Sequence, residues 1–99
     1  MQNFDEKLTS LPGWKIVEGR LTKIFKFTSF PTAVLFVNRL VDPAEELLHY
    51  PEVTLLFNQV RISLIDLHSN QLTDKDFEFA KKAEELVSLH LWFLKLFIH

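Results

Sequence analysis

The sequence predicts one α+β domain spanning residues 1–99: a four-stranded antiparallel sheet with helices packed on one face, in the order α-β-β-α-β-β-α. Three observations carry this. Residues 20–27 and 59–67 alternate with period two, as half-buried strands do. Between them, apolar residues recur at spacings of three and four from Phe30 to Leu48, the period of a helix with one buried stripe. The chain has 99 residues, 47% of them apolar, with only two glycines and four prolines. That is enough to bury one core and too ordered a composition for a disordered segment.

Each element follows from local chemistry. Residues 3–10 read as a short helix, and Leu11-Pro12-Gly13-Trp14 as a turn, because proline and glycine together interrupt regular structure. Residues 14–18 read as a first strand, and Glu18-Gly19 turns into the second at 20–27. There Leu21, Phe25 and Phe27 share one face, and Arg20, Thr22 and Lys26 the other. The central helix is expected over 30–49, capped by Thr28 or Ser29, with Val34, Val37, Leu40 and Val41 buried. Pro43 cannot donate its amide and crowds the carbonyl one turn back, at a cost of ~3 kcal/mol, so a kink or break is expected there. Pro51 is expected to end the helix. Residues 52–58 and 59–67 read as the third and fourth strands, with Val60, Ile62 and Leu64 on one face. The loop 68–71 follows, and Thr73 with Asp76 approximates a capping box for the last helix. Phe77, Ala80 and Ala83 form its core side. From residue 87 to 99 the helix becomes apolar on nearly every side, an extension that needs cover from its own domain or from another subunit.

Composition excludes several functions. The net charge is −2 and the cations are scattered, which argues against nucleic-acid binding. There are no cysteines, so disulfides and thiolate metal sites are out, and the chain fits a reducing compartment such as the cytoplasm. The first residues lack the basic and apolar regions of a secretory signal. The apolar tail is shorter than the ~20 residues that span a bilayer. No pair of histidines has metal-ligand spacing, and there is no glycine-rich phosphate loop and no serine or cysteine nucleophile motif. No metal and no cofactor is therefore expected.

What remains is the stretch Ala44-Glu45-Glu46-Leu47-Leu48-His49-Tyr50-Pro51. Together with Phe57-Asn58-Gln59-Val60-Arg61-Ile62-Ser63-Leu64 and the segment from Leu72 to Ala80, it resembles the pterin-4a-carbinolamine dehydratase family. Members of that family are also described as dimerisation cofactors of a homeodomain transcription factor. The resemblance runs from about Trp14 to Leu86. It implies an active site with two adjacent histidines before a proline, an acidic residue four places earlier, an aromatic in the next strand, a third histidine ending the last strand, and an aspartate in the final helix. Here the matching residues are His49 and Tyr50 before Pro51, then Glu45, Phe57, Leu67 and Asp76. His68 stands one residue after Leu67. In a continuous strand it would face the opposite side, unless a bulge or loop bends it back.

The family reaction expels the 4a-hydroxyl of a tetrahydropterin as water, so that hydroxyl must gain a proton and a ring nitrogen must lose one. Imidazole suits both tasks because its pKa lies near working pH. Tyrosine is a poor base at pH 7, and leucine can do neither. Catalytic roles therefore fall to His49, Tyr50 and Asp76 in a degenerate site, and substrate contacts to Glu45, Pro51, Phe57, Leu67 and His68. The simpler reading treats His49 as a helix-end cap, Tyr50 as a half-buried aromatic, Asp76 as a first-turn residue favoured by the helix dipole, and His68 as a loop residue. Two main functions stand against each other, beside a third in which the chain binds a pterin or similar heterocycle without turnover. One is a divergent member acting through protein binding or assembly, as relatives that assist Rubisco assembly in plastids or carboxysomes do. The other is a working dehydratase with a rearranged site. A homodimer or homotetramer is expected in either case, with a protein client or a pterin as further partner.

Overall fold

Eight elements make up the fold in this computed structural model, which describes the backbone of residues 4–97 and the side chains of residues 4–88. They are α1 (Phe4–Thr9), β1 (Lys15–Val17), β2 (Arg20–Lys26), α2 (Phe30–Arg39), α3 (Val41–Leu47), β3 (Glu52–Leu56), β4 (Gln59–Leu64) and α4 (Asp74–Phe97). The sheet is antiparallel throughout, in the order β1-β2-β4-β3.

Two hairpins build the sheet. Glu18 and Gly19 both take positive φ, 50° and 78°, the pattern of a type I′ turn that matches strand twist. The β3–β4 turn is Phe57-Asn58, which ends β3 at Leu56, short of the expected 58, because Phe57 takes a left-handed φ of 53°. Asn58 ties the turn to the end of β2. Its Nδ2 donates to the Phe27 carbonyl at 2.9 Å, and the Phe27 amide donates to the Asn58 carbonyl at 2.8 Å. One face of β2 and β4 presents Leu21, Phe25, Val60, Ile62 and Leu64 to the helices. Ala33, Phe36 and Leu40 of the α2 region, Ala44 of α3, and Phe77, Phe79, Ala80 and Ala83 of α4 close the core. Phe36 sits 4.9 Å from Phe25 and 5.1 Å from Phe27, ring centre to ring centre.

The helix expected over 30–49 is broken in two, the break expected from Pro43, although it falls at Leu40 and not at the proline itself. α2 ends at Arg39, and Pro43 explains the place. A proline at 43 has no amide for the Arg39 carbonyl and would press against it, so the chain tightens at Leu40, whose amide reaches both Phe36 and Val37 carbonyls. Nor does Pro51 end α3. Leu48 ends it three residues earlier by taking the left-handed conformation, φ 52° and ψ 46°. The break and the bulk of Phe36 turn the buried face. Leu40 is buried as expected, but Val34 and Val37 are only half-buried, and Val41, Phe30 and Leu48 are exposed. β4 stops at Leu64, short of the expected 67.

α1 packs Phe4 against Phe77 at 5.3 Å, and Trp14 anchors the following loop by donating to Glu84 on α4 at 2.9 Å. Gly13 is required here. It has φ 85°, and a Cβ would meet the Lys23 side chain at 3.0 Å. The expected apolar stripe of 87–99 lies outside the described side chains beyond Ser88. Val87 is half-buried and packs on the core. Among the described residues, no helix is long and apolar enough to cross a membrane.

Candidate functional site

The end of α3 sets the site. With Leu48 left-handed, the His49 amide turns back to cap the Ala44 carbonyl at 3.0 Å. The next two side chains then part: His49 turns inward and is buried, while Tyr50 points out and is 55% exposed. The resemblance aligns these neighbours as a pair, but they face different surroundings.

His49 meets Asp76. Its Nε2 lies 2.5 Å from Oδ1 of Asp76, whose side chain is fully buried. Asp76 reaches this position from the first turn of α4. There its Oδ2 accepts the Thr73 amide at 2.8 Å, which is the return half of the Thr73–Asp76 capping box. A carboxylate can only accept, so Nε2 carries the proton. The lone pair of neutral His49 is then on Nδ1. A carboxylate held this way fixes the orientation and the tautomer of the ring, as in other His–Asp pairs. The arrangement can hold or move one proton at Nδ1.

Tyr50 is engaged elsewhere. Its hydroxyl donates to Oε2 of Glu45 at 2.6 Å. That hydrogen bond foremost, with lost hydration and the Glu45 charge adding, holds the phenol above its ordinary range. Tyr50 is thus a hydrogen-bond donor and no base at neutral pH.

The other wall comes from the loop after β4. The Asp66 amide donates to the Gln71 carbonyl at 3.1 Å, and the Asn70 amide to the Asp66 carbonyl at 2.8 Å. The Asp66 carboxylate accepts from the Ser69 hydroxyl at 2.7 Å and from its amide at 3.1 Å. These bonds, the hydroxyl first, keep Asp66 below the usual carboxylate range. Leu67 and His68 ride on this loop. Because pairing with the sheet has already ended at Leu64, strand alternation no longer separates them, and both line the same cleft of about 170 Å³ as His49 and Tyr50. Leu48, Ile65 and Asp66 complete its lining.

Not every residue singled out in the sequence gathers here. Phe57 sits in the β3–β4 turn with φ 53°. That is five residues along β3 from the site, ~16 Å at strand spacing, and it does not line the cleft. Pro51 leads into β3 and does not line it either, and Glu45 touches it only through Tyr50. Sequence reasoning missed the left-handed Leu48 and the Asp66–Ser69 loop. The run Asp66-Leu67-His68-Ser69-Asn70 is a turn composition, and it could have marked the end of β4. A larger depression of about 330 Å³ lies between α1 and α4, but it holds no imidazole, and its Lys7 and Asp74 pair with each other at 2.6 Å.

Comparison with known proteins gives one family. The sequence profile described as Pterin 4 alpha carbinolamine dehydratase matches residues 1–86. A protein from Thermosynechococcus vestitus, named after that enzyme, is 39% identical over 84 residues, covering 85% of this chain and 88% of the relative. One from Acidobacterium capsulatum with the same name is 34% identical, over 84% of this chain and 90% of the relative. Among solved structures, a transcriptional coactivator/pterin dehydratase from Brucella melitensis superposes with a TM-score of 0.79 at 35% identity, covering 84% and 90% of the two chains. A pterin dehydratase-like protein described as a RuBisCO assembly factor in the alpha-carboxysome shares the fold, with a TM-score of 0.60 at 24% identity over 74% and 84%.

Proposed function

This chain belongs to the pterin 4 alpha carbinolamine dehydratase family, and from that premise we propose that it uses the family scaffold to bind a protein partner and is at best a feeble dehydratase. The observation that carries this reading is the state of positions 50 and 67. Where the resemblance calls for imidazoles there are a tyrosine whose hydroxyl is committed to Glu45 and a leucine. Only His49 has a buried carboxylate behind it. One positioned proton-transfer group contributes ~10²–10⁴ in rate, so the loss of two of three removes most of the catalysis. The cleft, at about 170 Å³, is also below the ~300–1,000 Å³ usual for small-molecule sites. Its rim carries Leu48 and Leu67, both more than 70% exposed, and such apolar surface suits a protein contact.

Assembly work on a client protein is one form of this reading. The likeness to the RuBisCO assembly factor supports it at the level of fold only. Pairing of subunits through an open sheet edge is a further part of the proposal, since β1 and β3 end the sheet and an unpaired edge is a template for association.

A second reading has one observation in its favour. His68 lies in the cleft with His49, and it could supply the missing imidazole from the loop. A steady-state assay of 4a-hydroxytetrahydropterin dehydration separates the two. The protein-binding reading expects a rate close to the uncatalysed one. A rate equal to that of a three-histidine relative overturns it, and loss of that rate in His68→Ala would identify the substitute.

A further inference from the structure

The sheet face turned away from the helices is chemically unlike the rest of the molecule. Direct pairing puts Lys15, Thr22, Ser63 and Glu52 in one row across it, then Ile24, Arg61 and Thr54, then Lys26, Gln59 and Leu56. Arg20, two residues before Thr22, shares this face. The strands therefore carry four cations and one anion here, a surplus of three positive charges on a chain whose net charge is −2. The single anion, Glu52, is bonded to Arg20 at 3.4 Å. That pair reaches from β3 to β2 across β4, where Ser63, in one row with Thr22 and Glu52, is buried. Among the described residues, no side-chain hydrogen bond or ion pair engages Lys15, Lys26 or Arg61. Apolar side chains stand open between these cations: Ile24 is 51% exposed and Leu56 70%.

We infer that this helix-free sheet face is a docking surface for an acidic protein segment that also presents apolar side chains. Charge complementarity selects the occupant. Three unpaired cations around an apolar centre attract and orient an anionic chain, and Ile24 and Leu56 give it surface to bury. A nucleic acid fits less well. Sheets that bind single strands stack bases on aromatic rings, and no aromatic of the four strands points to this face. The area is that of four short strands, so the contact belongs with small, transient interfaces, and its affinity should depend strongly on salt. The inference rests on the protein-binding reading only in taking a protein as the ligand. None of Lys15, Ile24, Lys26 or Arg61 lines the His49 cleft, so a dehydratase rate would overturn that reading and leave this surface standing.

The test uses the full chain and a labelled peptide of about 12 residues made of Glu-Glu-Leu repeats. Its controls are a Lys-Lys-Leu peptide and a single-stranded DNA of equal length. The acidic peptide should bind, move the backbone amide signals of residues 24–26 and 59–61, and weaken about tenfold between about 50 and 300 mM salt. Lys26→Glu with Arg61→Glu should weaken it by at least about tenfold, and Ile24→Ser should weaken it without changing the salt dependence. The milder pair Lys26→Gln with Arg61→Gln guards against misfolding, since both side chains are exposed. Binding unchanged in both charge variants, signal changes confined to the His49 cleft, or tighter binding of the DNA would each overturn the inference.

Discussion

Nε2 of His49 lies 2.5 Å from Oδ1 of Asp76, and this contact joins the end of α3 to the first turn of α4. The same carboxylate holds the Thr73 amide, so one fully buried side chain serves both a helix cap and an imidazole. Asp76→Ala should leave both donors unpaired in the interior. The cost is about 2–3 kcal/mol, a fall in Tm of roughly 8–24 °C for a domain of this size. Thermal unfolding followed by circular dichroism measures it. A change below ~1 kcal/mol would mean that the pair is solvated.

The turned face of α2 makes a second prediction. Phe36 is buried between Phe25 and Phe27, whereas Val41 is 57% exposed. Phe36→Ala should cost about 3–5 kcal/mol, and Val41→Ala should stay within about 0.5 kcal/mol. Denaturant unfolding of both variants gives the comparison. The opposite ranking would restore the expectation that Val41 belongs to the core.

Leu48 is a bulky residue held left-handed and 71% exposed. Glycine takes that conformation without the steric cost, and little burial is lost. Leu48→Gly should therefore stabilise the chain by about 0.5–1 kcal/mol, and Leu48→Val should destabilise it. A raised Tm for glycine and a lowered one for valine is the expected pair of results.

Asp66 gives the pH dependence. Its folded carboxyl is held below the ordinary value of 3.8 by the Ser69 hydroxyl and amide. A lowered folded pKa means that the stabilisation is fully present above the ordinary value and is lost as pH falls through the folded one. Ser69→Ala should move the carboxyl back toward 3.8 and flatten the stability curve in acid. Carbon-detected NMR titration of Asp66 reads the shift directly.

The strand pairs, the first hairpin turn and the last helix's start were legible because each rests on local chemistry: period two in residues 20–27, Glu18-Gly19, and Thr73 with Asp76. The Phe57-Asn58 turn was hidden inside the expected third strand. The core face of α2 was less so. Counting apolar spacings put Val34, Val37 and Val41 on the core stripe and passed over Phe36, but packing against Phe25 and Phe27 chose the larger ring. The site was legible as a set of residue types and not as a place. A histidine followed by a tyrosine says nothing about a left-handed Leu48 that turns one inward and the other outward. The end of β4 likewise depended on Asp66 and Ser69, and that end let both Leu67 and His68 face the cleft.

The central claim is that the fold kept its His49–Asp76 pair and its cleft while losing proton-transfer chemistry at two positions. The most direct measurement is the dehydratase rate of the double variant Tyr50→His with Leu67→His beside that of the native chain. The account predicts native turnover near the spontaneous rate and a gain of ~10² or more in the variant. A native chain that already turns over as fast as a three-histidine relative would contradict it.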